Sequence, residues 1–172
     1  MMEQKENLRF PGDLMIDGVI QMKLAEALIL RADLQTRLEQ LRERLTMNAL
    51  VQEGEEPAER PADLLAELEH MTGRLEQLIA AINLTNAAAV VEGKTLTELL
   101  ARREGLTRHI SLMRSLLDAA NRTVMRGSRN EVKVHSTVPV AELRKATDKL
   151  SEELRKLDTS IQAANWTTEL RE

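Results

Sequence analysis

The chain has 172 residues, 42% of them apolar and 30% charged, with a formal net charge of −4: enough for one core, short for two domains, and with no basic excess to act as a strong polyanion trap. It has no cysteine, which excludes disulfides, thiolate nucleophiles and cysteine-ligated zinc, and only Phe10 and Trp166 are aromatic, which disfavours a sheet protein. No run of 18 apolar residues occurs, so no helix is expected to span a membrane.

Residues 1–21 differ from the rest. Met1-Met2-Glu3-Gln4-Lys5 lacks the basic start and apolar core of a signal peptide. Phe10-Pro11-Gly12-Asp13 reads as a turn. The segment is expected to be a flexible arm or an upstream extension, with Met22 as the functional start. Helix 1 is predicted from about Met22 to Met47, with an apolar stripe of Leu24, Leu28, Leu34, Leu38, Leu41 and Leu45. The acidic, proline-bearing segment from Val51 to Pro61 is a loop, and Pro61 suits a first helical turn. Helix 2 carries Leu64, Leu68, Met71, Leu75, Leu78 and Ile82 and ends near Asn83–Asn86. Glu92-Gly93-Lys94 is a turn, and Thr95-Leu96-Thr97-Glu98 matches a capping box at the start of helix 3. Helix 3 runs to about Asn121. Residues 131–138 alternate as a strand does. Helix 4 follows Pro139 with a seam of Leu143, Thr147, Leu150, Leu154, Leu157, Ile161 and Ala164.

The chain repeats itself. Leu24-Ala25-Glu26-Ala27-Leu28 and the residues after it match Leu96-Thr97-Glu98-Leu99-Leu100 and its continuation at an offset of 72. A second offset, 82, joins Asn48 to Asn130, Pro57 to Pro139, Leu68 to Leu150, Ile79 to Ile161 and Asn83 to Asn165, which implies a ten-residue insertion near 118–127. The expected fold is mainly all-α: an antiparallel four-helix arrangement of two long helical hairpins, 22–86 and 95–168, related by a pseudo-twofold within a single domain, 22–172. A small two-stranded β-ribbon is expected between 49–52 and 131–135.

The duplicated polar residues are the candidate site. Arg31 and Arg103 point along the apolar stripes, and an antiparallel hairpin sets each beside the end of the following helix. Glu26, Arg31, Asn83, Glu98, Arg103 and Asn165 would then form a polar pocket able to hold an anion through two guanidinium forks. Capping and pairing at helix ends is the competing and more ordinary role for the same groups. Trp166 is expected to close one end of the helices. Glu67-Leu68-Glu69-His70 contains one Glu-x-x-His, but a di-iron bundle needs two; His109 stands where the first half has Arg37, and His135 lies on the polar side of the predicted strand. Arg122, Arg126, Arg129 and Lys133 form a basic cluster diluted by Glu131, with no interleaved aromatic, which gives no strong nucleic-acid signal. No phosphate loop or catalytic triad stands out, so no metal, cofactor or catalysis is expected.

Five segments carry a family resemblance: Met22 to Leu28, Asn48 to Pro57, Ile82-Asn83-Leu84-Thr85-Asn86, Ser136-Thr137-Val138 and Asn165-Trp166-Thr167-Thr168-Glu169-Leu170. Together they resemble the septicolysin-like family of small bacterial helical proteins, from Met22 to Leu170. The resemblance carries no catalytic residue and implies a cytolysin by name. The residues themselves point instead to a cytoplasmic helical scaffold or binding protein, a homo-oligomer whose other protein partner is unknown. The remaining alternative is an anion or small-molecule binder using the Arg31 and Arg103 pocket.

Overall fold

A computed structural model describes residues 22–121 and 135–171, and before them only two short strands, β1 (Met15–Ile16) and β2 (Val19–Ile20), paired antiparallel. These two strands fall within the segment 1–21, and Phe10 to Asp13 lies outside the described residues. Four long helices follow: α1 (Leu24–Met47), α2 (Pro61–Ala88), α3 (Leu96–Ala120) and α4 (Val140–Thr167). Strands β3 (Val90–Val91) and β4 (Lys94–Thr95) join α2 to α3. The protein is thus mainly helical, with four helices and a small antiparallel ribbon, as its composition indicates.

The ribbon sits elsewhere than expected. It is the tight hairpin β3–β4, with Val90 opposite Thr95 and Val91 opposite Lys94. Its turn is Glu92-Gly93, both at positive φ (51° and 80°), the twist that suits a two-residue hairpin. Residues 49–52 form no strand, and 131–134 lie outside the described residues.

The chain divides into two compact units. The first holds α1, α2 as far as Thr85, and the chain from Asn165 onward; the second runs from Asn86 to Ala164. In the first, α1 and α2 form an antiparallel hairpin. At the loop end Arg44 of α1 pairs with Glu59 and Glu67. At the other end the segment after α4 serves both helices. The Leu24 amide donates to the Thr168 carbonyl (2.9 Å), the Leu170 amide donates to the Met22 carbonyl (2.7 Å), and the Arg171 amide donates to the Thr85 hydroxyl (2.9 Å). The second unit makes the matching closure within itself: the Leu96 amide donates to the Ala89 carbonyl (2.9 Å). There α3 and α4 run antiparallel, with Arg102 on Glu153 and Arg103 on Asp158.

Burial follows the expected seams. Leu24, Ala27, Leu34 and Leu41 of α1, and Leu64, Met71, Leu78 and Ile82 of α2, are buried. Leu96, Leu99, Leu106, Ile110 and Leu117 of α3 are buried, as are Thr147, Ile161 and Ala164 of α4. The offset of 72 relating α1 to α3 holds, since Leu24, Ala27 and Leu34 correspond to Leu96, Leu99 and Leu106. The offset of 82 does not relate α2 to α4. Both helices have 28 residues, and their ends correspond at an offset of 79. Ile79 is exposed while Ile161 is buried; at 79 the partner of Ile161 is Ile82, and both are buried. The two offsets thus differ by seven residues, one heptad, not ten. A slip of three residues along a helix turns its stripe by roughly 60°, which is why Ile79 and Ile161 differ in burial.

The helix starts show what the sequence demands locally. At α3 the Glu98 amide donates to the Thr95 hydroxyl (3.2 Å) and the Thr95 amide to the Glu98 carboxylate (2.7 Å), a complete capping box. At α1 a lysine, which has no acceptor, stands in the cap position, so only the second half survives: the Lys23 amide donates to Glu26 at 2.7 Å. Thr95→Ala is expected to cost about 1 kcal/mol and Lys23→Thr to gain a few tenths of a kcal/mol; urea denaturation measures both. Gly73 and Gly105 lie mid-helix, and a methyl group at either meets no atom within 4 Å. Gly73→Ala and Gly105→Ala are each expected to raise stability by about 1 kcal/mol, read in the same titration.

Candidate functional site

The six residues of the expected polar pocket have diverse surroundings. Glu26 and Glu98 are capping carboxylates, each accepting from a backbone amide one turn back. The Thr95 amide, then the Thr95 hydroxyl, holds the Glu98 carboxyl below its ordinary value. Arg103 is exposed and its Nε donates to Asp158 at 2.6 Å. Arg31 is half-buried and has no hydrogen bond or ion pair among the described residues. Asn83 is exposed and Asn165 is buried. Their unequal environments follow from the register, in which Asn165 corresponds to Asn86. Glu26, Arg31, Asn83 and Asn165 belong to the first unit, Glu98 and Arg103 to the second.

Trp166 does not close a helix end as expected: it is 57% exposed. At the offset of 79 it stands where α2 has Ala87, an exposed position. Glu67 of the Glu-x-x-His pair is engaged by Arg44 (3.1 Å), and His70, His109 and His135 are exposed. Among the described residues no group of three or more metal-ligating side chains gathers. The basic cluster at Arg122, Arg126, Arg129 and Lys133 lies outside the described residues.

Two features escaped the sequence. The first is the anchored loop between α1 and α2. Asn48 is buried; its amide group donates to the Arg44 carbonyl (2.9 Å), and its oxygen accepts from the Glu59 amide (2.9 Å). Arg44 grips the Glu59 carboxylate with Nε at 3.0 Å. Met47, Leu50 and Val51 project from this pinned base, with Leu50 89% exposed. The second is a cleft of about 420 Å³ in the second unit, floored by Ile110 and Leu154 and edged by Ser111, Arg114, Ser115 and Arg155. Its serines resemble ordinary helix surface in a sequence, and only the meeting of α3 with α4 gathers them.

With this geometry the chain can be compared with known proteins. One family profile matches residues 31–170. The chain belongs to the family of unknown function DUF6847. It is similar to a solved structure described as a functionally unknown conserved protein from Corynebacterium diphtheriae, with 41% identity and a TM-score of 0.82. That similarity covers 88% of this chain and 99% of the other. No curated protein matches. The septicolysin-like resemblance is overturned by this membership, and neither the family nor the structural neighbour indicates a cytolysin or a reaction. The segments that carried it include local devices: the Asn48 pin, the capping carboxylate Glu26 and the closing segment at 168–170. Helical proteins reuse such devices without common descent. Among the described residues no helix is long and apolar enough to cross a membrane.

The Arg44 hydrogen bond holds the Glu59 carboxyl below its ordinary value of 4.5. A lowered folded pKa stabilises the protein above the unfolded value, and that contribution disappears as pH falls through the folded one. Stability is therefore expected to decline below about pH 4.5, with Glu59 and Glu98 both contributing. Glu59→Gln should flatten the acid limb of melting temperature against pH. Asn48→Ala should cost about 2 kcal/mol, because it leaves the Glu59 amide without its acceptor.

Proposed function

We propose that the protein is a cytoplasmic helical scaffold that works by binding, through association with a second copy of itself, and not by turnover. The outer face of α2 carries this reading. Leu65 is 51% exposed and Ile79 36% exposed, and with Thr72 between them they fall at seven-residue spacing on one stripe. Ala66, Ala80 and Ala87 are also exposed on this helix. Single exposed leucines are ordinary on a soluble protein, but a stripe along a helix is what a partner helix covers. Because the stripe repeats by heptads, a second copy of the same helix fits it. The polar groups named above support a non-catalytic role, since Glu26, Glu98, Arg44 and Arg103 have structural partners.

Glu69 and Glu76 flank the stripe and are exposed. Two copies meeting there bring like charges together, so salt should tighten the association by screening them. Sedimentation equilibrium should give a mass above the monomer's, rising between about 50 and 500 mM NaCl. Leu65→Gln with Ile79→Gln should return the protein to a monomer of unchanged helicity. A monomeric mass at every concentration would overturn self-association, and fractionation of cells tests the cytoplasmic placement.

A further inference from the structure

The duplication supplies an internal control for the cleft between α3 and α4. At the offsets of 72 and 79, Ser111, Arg114, Ser115 and Arg155 correspond to Glu39, Arg42, Glu43 and Glu76 of the first unit. There Arg42 is neutralised. Its Nε lies 2.8 Å from Glu39, and Glu43 adds its field. In the second unit both neighbouring carboxylates are serines, and a third acidic position is an arginine. Neither Arg114 nor Arg155 has a carboxylate within ion-pair distance among the described residues, although Arg155 lies in the field of Glu152 and Asp118 lines the same cleft where the first unit has Thr46. The same place on the repeat has changed from acidic to basic.

We infer that this cleft in the second unit binds a small organic phosphate bearing hydroxyl groups, and this does not depend on self-association. Guanidinium forks are suited to phosphate oxygens. The remaining lining accepts hydrogen bonds. The hydroxyls of Ser115 and Ser151 already donate to the Ser111 and Thr147 carbonyls, at 3.0 and 2.8 Å, which leaves their lone pairs to a ligand donor. Asp118 adds a carboxylate acceptor at the rim, and Ile110 and Leu154 give the carbon skeleton an apolar floor. A volume of about 420 Å³ lies in the range that small-ligand sites occupy. A phosphate alone would leave the acceptors unmatched, and a neutral polyol would leave the arginines unmatched.

Calorimetry with glycerol 3-phosphate, and sedimentation with vesicles containing phosphatidic acid, separate a free phosphate ester from a lipid headgroup of the same chemistry. Glycerol 3-phosphate is expected to bind, glycerol not to bind, and inorganic phosphate to bind more weakly. Arg114→Gln and Arg155→Gln should each weaken binding at least tenfold. Ser111→Glu with Ser115→Glu, which restores the first unit's carboxylates, should abolish it while circular dichroism stays unchanged. In the unaltered protein the side-chain Nε–H resonances of Arg114 and Arg155 should shift on titration. Binding to the vesicles alone, lost in the same variants, would support the cleft and assign the headgroup as its source. No binding of either probe, or binding that survives both arginine substitutions, would overturn the proposal.

Discussion

The structure depends on keeping each apolar stripe on one face of its helix. Leucine and isoleucine side chains contribute stability only where water is excluded, so the spacing of buried positions tolerates little change. The two copies differ by seven residues between the start of α3 and the start of α4, and within α2 and α4 the 28 residues match one for one. Because the match is one for one, α4 presents Leu143, Thr147, Leu150 and Ile161 as α2 presents Leu64, Leu68, Met71 and Ile82. A slip of three residues along the helix, as an offset of 82 requires, would turn every matched side chain off the seam, and Ile79, exposed in α2, marks the face that such a register would bury.

A second constraint acts at the helix starts. The first residues of α1 and α3, Leu24 and Leu96, are wholly buried, although a helix start carries amides without intrahelical partners. Burial is tolerated because each of these amides donates to a carbonyl of an adjacent extended segment, Thr168 for one and Ala89 for the other. The acceptors themselves correspond at the offset of 79. In the first unit the acceptor comes from the end of the described chain, so Thr85, buried and donating to the Ala81 carbonyl while accepting from Arg171, ties that end down. The same connection explains why Lys23 can replace a capping threonine: its backbone faces Glu169, and its ammonium pairs with that carboxylate at 3.1 Å.

Much of this was legible in the sequence, for physical reasons that differ by element. Helix bounds came within a few residues because Pro61, Thr95 with Glu98, and Pro139 are strong local signals. The seams of all four helices were legible because periodicity reports burial directly. The register between α2 and α4 was not, because matches such as Asn83 with Asn165 and Ile79 with Ile161 compare identities and ignore the face on which each residue lies. That error paired Asn83 with a buried asparagine, while Trp166 reads as following helix 4, which in fact runs on to Thr167. The ribbon at Val90–Thr95 is too short for alternation to reveal, and only the positive φ values at Glu92 and Gly93 mark it. The loop anchored by Asn48 and Arg44 and the cleft at Arg114 both require residues far apart in sequence to meet, which one helix's pattern cannot show.

The internal duplication also separates what the fold requires from what it leaves free. Positions that match in both copies are the seam and the closures: Leu24 with Leu96, Leu34 with Leu106, Glu26 with Glu98. Some seam positions also diverge, as Ala27 does from Leu99 and Leu68 from Thr147, but many diverging positions lie on the polar faces, where substitutions change stability little. On those faces Glu39, Glu43 and Glu76 of the first unit stand against Ser111, Ser115 and Arg155 of the second, while Thr46 stands against Asp118, so the exchange is mainly of negative charge for neutral or positive. Helix stability does not call for it, since the Arg42–Glu39 pair at 69% and 70% exposure is worth little. A change of charge around a cleft that helix stability does not call for is the observation on which the proposed phosphate site rests.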